Sequence, residues 1–317
     1  PVGEGMSFAN GTKDGFQLVV QSFLNPVQVF DFDPKTDSKT LMGQGKSHID
    51  SDDYEVKQFF APSADGTRVP FYLVAKKGLS VQPGGGDAPA LLYGYGGFQV
   101  TLGPSYNVTG IRHWVDQGGI LITANLRGGG EYGASWWQQA VGRNKVKSYE
   151  DMAAIAEELV RLGYSAPGKM AVQGGSNGGL MSANMMVRRP DLFGAAIIDV
   201  PLIDMLHFHK LLAGASWQGE YGFPTNPEDV PHLTDMSPNR RLDPEASYPT
   251  PFIFSSRADD RVHPYHARVL SAKMQAMGFD VIFSERATGG HNGSVNNAQR
   301  ADRAAEQYIY LYQQLID

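Results

Sequence analysis

One serine of the chain stands in a pattern typical of a catalytic nucleophile. The segment Gly174-Gly175-Ser176-Asn177-Gly178-Gly179 follows an apolar run that predicts a strand, and it precedes a helical pattern. A G-x-S-x-G motif between a strand and a helix is typical of a nucleophile elbow, in which a tight turn strains the serine backbone. Glycine neighbours avoid the clashes that a Cβ atom would cause there. We therefore predict that Ser176 is a nucleophile, with the backbone N–H of Asn177 as an oxyanion donor.

The competing interpretation of this segment is a glycine-rich turn with an incidental serine. The flanking strand and helix favour the elbow, because the motif needs that context. A phosphate-binding loop is disfavoured, since the chain contains neither G-x-x-x-x-G-K-[ST] nor G-x-G-x-x-G.

A serine hydroxyl needs a general base, and in α/β hydrolases the acid and then the histidine follow the serine along the chain. Of the eight histidines, only His291 lies beyond the last predicted strand, in a loop with glycines on both sides. Asp259 and Asp260 follow the preceding strand. Either carboxylate could orient the imidazole and stabilise its cation, and their spacing does not choose between them.

The other histidines do not predict a metal site. His207 and His209 are two residues apart on a predicted helix and so do not share a face. His263 and His266 could share a face, but no clear set of carboxylate ligands accompanies them. The chain contains no cysteine, which excludes disulfides, thiolate zinc sites and cysteine nucleophiles. We expect neither a metal nor an organic cofactor.

Short apolar runs alternate with helical patterns after residue 89, as in a parallel sheet covered on both faces. The predicted strands are 90–95, 119–126, 169–175, 194–200, 250–256 and 280–285. Helices are predicted at 148–162, where Ser148 and Asp151 resemble a capping box, and at 297–316. The alternation predicts an α/β domain with a mostly parallel, twisted sheet and helices on both faces.

The part of the chain before residue 80 has a different pattern. Residues 16–32 are rich in Phe and Val around an Asn-Pro pair, which predicts two strands and a turn. Residues 33–50 are polar and predict a loop or linker. Ala64-Asp65-Gly66 lies between two apolar runs and predicts a β-hairpin.

Composition excludes several classes of protein. With 317 residues, 42% hydrophobic and 19% charged, the chain can bury a large core and is not a disordered or coiled-coil protein. No run approaches 18 apolar residues, so no membrane span is predicted, and the net charge of −6 argues against a nucleic-acid surface.

Because the chain begins at Pro1 rather than Met, we expect a piece of a longer protein. The sequence does not distinguish a cytoplasmic from a periplasmic or secreted location.

Several motifs together resemble the prolyl oligopeptidase family of serine peptidases, from about residue 52 to the end of the chain. They are YGYGGF at 93–98, NLRGGGEYG at 125–133, the elbow at 174–179, RPDLF at 189–193, DDRV at 259–262 and Gly290-His291. The resemblance implies an α/β-hydrolase catalytic domain over residues 51–317. It also implies that residues 1–50 are the end of the last blade of a β-propeller, with a linker.

The resemblance implies a role for individual residues as well. Ser176 corresponds to the nucleophile, Asp259 to the acid of the triad and His291 to the base. Tyr95 corresponds to a tyrosine whose hydroxyl is the second oxyanion donor, beside the N–H of Asn177.

Further positions correspond to the family's substrate-binding residues. Arg261 matches an arginine that binds a backbone carbonyl of the substrate. The S1 pocket, which holds the residue before the cleaved bond, matches Phe98, Asn177, Trp217, Tyr221 and Val262. In the family the tryptophan ring stacks on the proline ring.

The side chains of the candidate pocket favour a neutral substrate residue. An apolar, flat-sided slot suits a proline ring, whereas cleavage after Arg or Lys needs an acidic partner for the cation. Glu220, next to Tyr221, is the acid whose position must be checked. The residues between Trp217 and Tyr221, and Asn292 after the histidine, differ from those commoner in the family.

These observations predict a serine endopeptidase that cleaves short peptides on the carboxyl side of proline through an acyl-enzyme. Its expected partners are proline-containing peptides and the propeller portion of the full-length chain, not nucleic acid or a membrane. One alternative is an esterase or oligopeptidase of the same fold that prefers another apolar residue. A second is a catalytically silent hydrolase-fold protein that only binds.

Overall fold

The computed structural model describes residues 2–11, 15–82 and 86–316, and the chain divides into two compact units. The first unit comprises Pro1–Phe59, Tyr72–Leu79 and Gly103–Leu121, and the second comprises Phe60–Phe71, Ser80–Leu102 and Ile122–Asp317. Every residue predicted to act in catalysis or substrate binding belongs to the second unit. The domain boundary expected after residue 50 stays a prediction.

Within the described residues, strands and helices alternate along most of the chain. The strands are β1 Glu4–Gly11, β2 Phe16–Ser22, β3 Gln28–Asp33, β4 Ser38–Gln44, β5 Tyr54–Pro62, β6 Arg68–Lys76, β7 Ala90–Gly94, β8 Ile120–Ala124, β9 Met170–Gly175, β10 Phe193–Asp199, β11 Phe252–Ser256 and β12 Ile282–Arg286. The α-helices are α1 Val108–His113, α2 Ala134–Gln138, α3 Val146–Leu162, α4 Asn177–Arg188, α5 Gln218–Tyr221, α6 Val230–Met236, α7 Pro238–Arg241, α8 Tyr265–Ala276 and α9 Asn297–Leu315. None of these helices has the length and apolar character needed to cross a membrane.

The first four strands form an antiparallel sheet in chain order, the size of one propeller blade. Strands β2 and β3 confirm the two strands predicted within residues 16–32. The loop expected over 33–50 is wrong for β4, which pairs with β3. Every residue of β4 is exposed, so backbone pairing at a sheet edge forms this strand without an apolar pattern.

The large sheet has eight strands in the order β12-β11-β10-β9-β7-β8-β6-β5. The pairs from β12 through to β7 are parallel, and the strands predicted after residue 89 are confirmed to within two residues at each end. Every residue of β11 is buried, and because successive side chains point to opposite faces, both faces of the sheet are covered there. The predicted α/β architecture is therefore confirmed.

The capping box predicted at the start of α3 is wrong. The helix begins at Val146, and the Ser148 hydroxyl instead donates to the backbone carbonyls of Arg127 (2.7 Å) and Gly96 (3.2 Å). The Asp151 carboxylate accepts from the guanidinium of Arg127, with which it forms a fully buried ion pair at 2.7 Å. Both side chains bond residues that are distant in the chain, and a local sequence pattern does not reveal such contacts.

Candidate active site

Ser176 occupies the turn between β9 and α4, in the second unit. Its backbone has φ 60° and ψ −117°, a conformation that a non-glycine residue adopts only under strain. The N–H of Ser176 donates to the carbonyl of Asp199 at the end of the neighbouring strand β10 (2.9 Å). The turn that the sequence predicts as an elbow therefore has the strained geometry of one.

Close backbone packing explains most of the glycines around this turn. A Cβ atom on Gly174 would lie 2.3 Å from the carbonyl oxygen of Gly178, and one on Gly178 would lie 2.7 Å from that of Gly94. A Cβ atom on Gly179 would lie 2.6 Å from the Asp199 carbonyl oxygen, whereas one on Gly175 would make only ordinary contacts. Three of the four glycines are thus required by the space available.

Asn177 opens helix α4, so its backbone N–H is one of the free donors at a helix N-terminus. Its buried side chain is held at both ends. The amide Nδ2 donates to the carbonyl oxygen of Tyr95 at 2.6 Å, and the Tyr221 hydroxyl donates to Oδ1 at 2.9 Å. Asn177 therefore links the predicted oxyanion tyrosine to a wall of the predicted S1 pocket.

The Tyr95 side chain reaches the predicted nucleophile. Burial raises the pKa of the Tyr95 hydroxyl, while a hydrogen bond with Ser176 and the positive charge of Arg261 oppose that rise. A tyrosine is already protonated at neutral pH, and burial strengthens that preference, so the O–H of Tyr95 is available as a hydrogen-bond donor beside Ser176.

The structure brings Asp259, rather than Asp260, to the histidine. Asp259 is buried in the turn after β11, where its Oδ1 accepts the backbone N–H groups of Arg261 and Val262, each at 2.9 Å. Its Oδ2 lies 2.7 Å from Nδ1 of His291, whereas Asp260 is exposed. A proton on Nδ1 would leave Nε2 free to accept a proton from a hydroxyl.

His291 lies on a short 3-10 helix, Gly290–Asn292, between two glycines with left-handed backbones, Gly289 (φ 110°) and Gly293 (φ 68°). Among the described residues, no hydrogen bond joins this histidine to the Ser176 hydroxyl. The structure thus contains the acid–base link of the predicted triad but not the link from base to nucleophile. Such links are often long without substrate and tighten when it binds.

The residues expected to form S1 are mostly buried. The ring of Tyr221 packs edge-on against Phe98 and Phe208, with centroid distances of 5.6 and 5.5 Å. Val262 and Trp217 are 3% and 9% exposed, and Trp217 ends the 3-10 helix directly before α5, which carries Tyr221. The structure thereby joins Phe98, Tyr221 and Asn177 by direct contacts.

Behind this pocket lies a buried ion pair, of which the sequence indicated only one member. The Nζ of Lys145 is 2.6 Å from Oε1 of Glu220, and the two side chains are 1% and 3% exposed. The same Oε1 accepts the backbone N–H of Phe98 (3.0 Å), and Oε2 accepts the indole N–H of Trp137 (2.7 Å). Glu220 thus accepts three hydrogen bonds from within the protein, and its charge is paired with that of Lys145.

Two of the other histidines, His266 and His207, bond neighbouring groups of the protein. Buried His266 accepts the backbone N–H groups of Ile203 and Asp204 at its Nδ1, each at 3.1 Å, and burial lowers its pKa to about 4. His207 Nδ1 lies 2.7 Å from a carboxylate oxygen of Asp204. Over the described part of the chain, no group of three or more histidines, aspartates or glutamates could hold a metal ion.

Sequence comparison relates this chain to known peptidases. The model of the prolyl oligopeptidase family matches residues 104–317. An uncharacterized peptidase of Sinorhizobium fredii is 37% identical over the whole chain, which covers 44% of that protein. A prolyl endopeptidase of Elizabethkingia miricola is 34% identical over 80% of the chain and 36% of its own length. The chain thus spans less than half the length of these relatives.

Solved structures give the same relationship. A structure from a study of two prolyl endopeptidases superposes with a TM-score of 0.93 at 35% identity, covering 99% of this chain and 46% of that one. A post-proline cleaving enzyme from Rickettsia typhi superposes with a TM-score of 0.91 at 31% identity, covering 98% of this chain and 45% of its own. The chain therefore belongs to the prolyl oligopeptidase family of serine peptidases and has its α/β-hydrolase fold.

Proposed function

We propose that this chain is the catalytic part of an endopeptidase that cleaves short peptides on the carboxyl side of proline. The observation that carries the proposal is that Glu220, the acid adjacent to Tyr221, is already bonded to Lys145, Trp137 and the N–H of Phe98. A slot without a free charge suits the proline ring and leaves a lysine or arginine side chain without a partner. The prolyl endopeptidases among its relatives support the same specificity.

In the proposed mechanism the hydroxyl of Ser176 attacks the carbonyl carbon of the proline residue. Its proton passes to Nε2 of His291, and Asp259 holds the imidazole and stabilises its cation. The tetrahedral oxyanion receives hydrogen bonds from the Tyr95 hydroxyl and the backbone N–H of Asn177, each contributing about 3 kcal/mol. His291 then protonates the leaving amine, and an ester to Ser176 remains.

Water completes the proposed cycle. His291 accepts a proton from the water molecule, whose oxygen attacks the acyl-enzyme ester, and the same two donors stabilise the second tetrahedral intermediate. That intermediate collapses when Ser176 leaves and regains its proton from His291. Arg261, exposed on the turn that carries Asp259, is proposed to bind a backbone carbonyl of the peptide and so align it.

A panel of succinyl-Gly-X chromogenic peptides tests the proposed specificity. We expect kcat/KM for X = Pro to exceed that for X = Ala, Leu or Lys by at least about tenfold, which corresponds to about 1.4 kcal/mol. Equal rates for other apolar residues would favour the broader oligopeptidase, and activity on p-nitrophenyl acetate alone would favour the esterase. Absence of any turnover would favour a silent binding protein.

Two variants refine this test. Trp217→Ala should reduce kcat/KM for the proline peptide more than for p-nitrophenyl acetate, because the acetyl group is too small to contact the ring. Tyr310→Phe is a matched control: it removes a buried hydroxyl that bonds the backbone of Ala196 and Thr250, outside the proposed site. An equal loss on both substrates with Trp217→Ala would contradict the proposed stacking.

We propose that β1–β4 are the end of a β-propeller whose other blades lie in the rest of the longer chain, because the sheet has four antiparallel strands and the relatives are more than twice as long. Expressing the longer protein and resolving its first domain would test this assignment.

A further inference from the structure

The loop that carries Phe98 has an unusual backbone. Phe98 and Gln99 are consecutive non-glycine residues in the left-handed region, with φ of 57° and 58°. Each such residue costs free energy, so neighbouring contacts must hold the loop in this conformation. Two backbone N–H groups show where it is held: that of Phe98 donates to Glu220, and that of Gln99 donates to the carbonyl of Gly128 at 3.1 Å.

The Lys145–Glu220 pair contacts this loop on both sides of Gly97. The ammonium of Lys145 donates to the carbonyl of Gly96 at 2.9 Å, and Glu220 accepts from Phe98. The contact is close, since a Cβ atom on Gly97 would lie 2.7 Å from Nζ of Lys145 and 2.5 Å from Nδ2 of Asn177. The pair thus bonds the segment 96–98 at the carbonyl of Gly96 and the N–H of Phe98.

A buried ion pair contributes little net stability, because the cost of desolvating both charges offsets much of their attraction. Two charges taken out of water are often replaceable by apolar side chains without loss, whereas the loss of one partner leaves the other uncompensated. Here burial lowers the pKa of the Lys145 amine, and Glu220 opposes that shift. The two charged groups do form several directional hydrogen bonds. Glu220 accepts from Lys145, from the N–H of Phe98 and from the indole of Trp137.

We propose that Lys145 and Glu220 are positioning residues that hold Phe98 in its strained backbone conformation and thereby set the width of the S1 slot. The inference rests on the proposed function, because it assigns Phe98 to that pocket. Glu220 and Tyr221 are adjacent on α5, and the Phe98 ring packs edge-on against Tyr221. The pair therefore contacts both the loop that carries Phe98 and the helix that carries Tyr221, whose rings form two adjacent walls of the proposed slot.

Hydrogen–deuterium exchange tests the positioning directly and does not require turnover. Lys145→Met leaves the Glu220 carboxylate buried without its cation, and we expect amide exchange in the segment 96–99 to accelerate at least about tenfold. Lys145→Met/Glu220→Gln removes both charges and keeps one amide oxygen that can accept from Phe98, although its NH₂ group then faces the indole N–H of Trp137 and that bond is lost. Exchange should therefore return to within about threefold of wild type rather than fully. Tyr310→Phe, the control, should leave this segment unchanged.

Kinetics separate positioning from a general loss of structure. For Lys145→Met we expect KM for the best succinyl-Gly-X peptide to rise at least about tenfold, with turnover of p-nitrophenyl acetate within about threefold of wild type. The ester is spared because Asn177 holds the carbonyl of Tyr95 independently of the pair. The double variant should recover most of the peptide KM. Peptide and ester activity falling together would overturn the proposal.

Trp137→Phe keeps the test decisive if Lys145→Met does not fold. It removes only the indole N–H that donates to Glu220, at a half-buried position, and should accelerate exchange at Phe98 about threefold. If amide exchange in the segment 96–99 is unchanged in Lys145→Met, or in Trp137→Phe where Lys145→Met does not fold, the positioning role is refuted, whichever substrate the enzyme cleaves. A wild-type enzyme without preference for proline would instead refute the proposed function and leave the exchange result to decide this inference.

Discussion

Replacement of Asp259 by asparagine is the most informative change in the proposed triad. The Oδ1 atom of Asp259 accepts two backbone N–H groups, while Oδ2 lies 2.7 Å from Nδ1 of His291. In Asp259→Asn the amide oxygen can retain both backbone bonds, so the turn should keep its shape. The amide NH₂ then faces Nδ1 of the histidine, which must become an acceptor.

This change reverses the tautomer of His291. With Nδ1 accepting, the ring proton moves to Nε2, and the imidazole can no longer take the proton of Ser176. We expect kcat/KM for the best peptide to fall about 10⁴-fold, equivalent to about 5.5 kcal/mol of transition-state stabilisation. The free energy of unfolding should change by only about 1 kcal/mol, because one hydrogen bond is altered.

The assay compares Asp259→Asn with Asp260→Asn, using peptide kinetics and denaturant unfolding on the same preparations. Asp260 is exposed, so its replacement should leave kcat/KM within about twofold. A loss below about tenfold in Asp259→Asn, or a larger loss in Asp260→Asn, would refute the assignment of the acid.

Two further predictions concern the oxyanion site and the pH dependence of stability. Tyr95→Phe should lower kcat for peptides about 10²-fold or more, with KM little changed, because it removes one oxyanion donor; steady-state kinetics showing an equal rise in KM would contradict that role. The pKa of His266 is about 4 in the folded protein against an ordinary 6.5, so the folded state favours the neutral ring. Its contribution to stability is complete above about pH 6.5 and is lost as the pH falls towards about 4, by about 3 kcal/mol. His266→Asn keeps an acceptor for the N–H groups of Ile203 and Asp204 but does not titrate, so urea unfolding at pH 7 and pH 4.5 should differ less than in wild type; an undiminished difference would exclude His266 as the cause.

The elbow could be predicted from sequence because the residues that it requires are consecutive in the chain. Three of its four glycines are needed for close backbone packing, against Gly178 within the turn or against the more distant carbonyls of Gly94 and Asp199, and all of them stand within three residues of Ser176, so they leave a pattern in the chain. The same holds for the apolar strands of the parallel sheet, whose burial on both faces requires continuous apolar runs. Strand β4 left no such pattern, because backbone pairing with β3 forms it and its side chains are exposed.

Other features depend on parts of the chain that only the fold brings together. Spacing could not choose between Asp259 and Asp260, since the choice is made by the turn after β11, which directs only one carboxylate to His291. Lys145 and Glu220 are 75 residues apart, and no local signal marks Lys145 as the partner of Glu220. The capping-box pattern at Ser148 failed for the same reason, because its hydroxyl bonds distant carbonyls.

Covalent labelling decides whether Ser176 is the nucleophile. The wild-type protein is treated with a fluorophosphonate probe, and the modified residue is identified by mass spectrometry of its peptides. We expect one phosphonate per chain, located on Ser176, and none in Ser176→Ala, which should retain the folded structure because alanine keeps the Cβ atom of the serine and loses only its hydroxyl. Full labelling of Ser176→Ala, or a label on another residue of the wild type, would contradict Ser176 as the nucleophile.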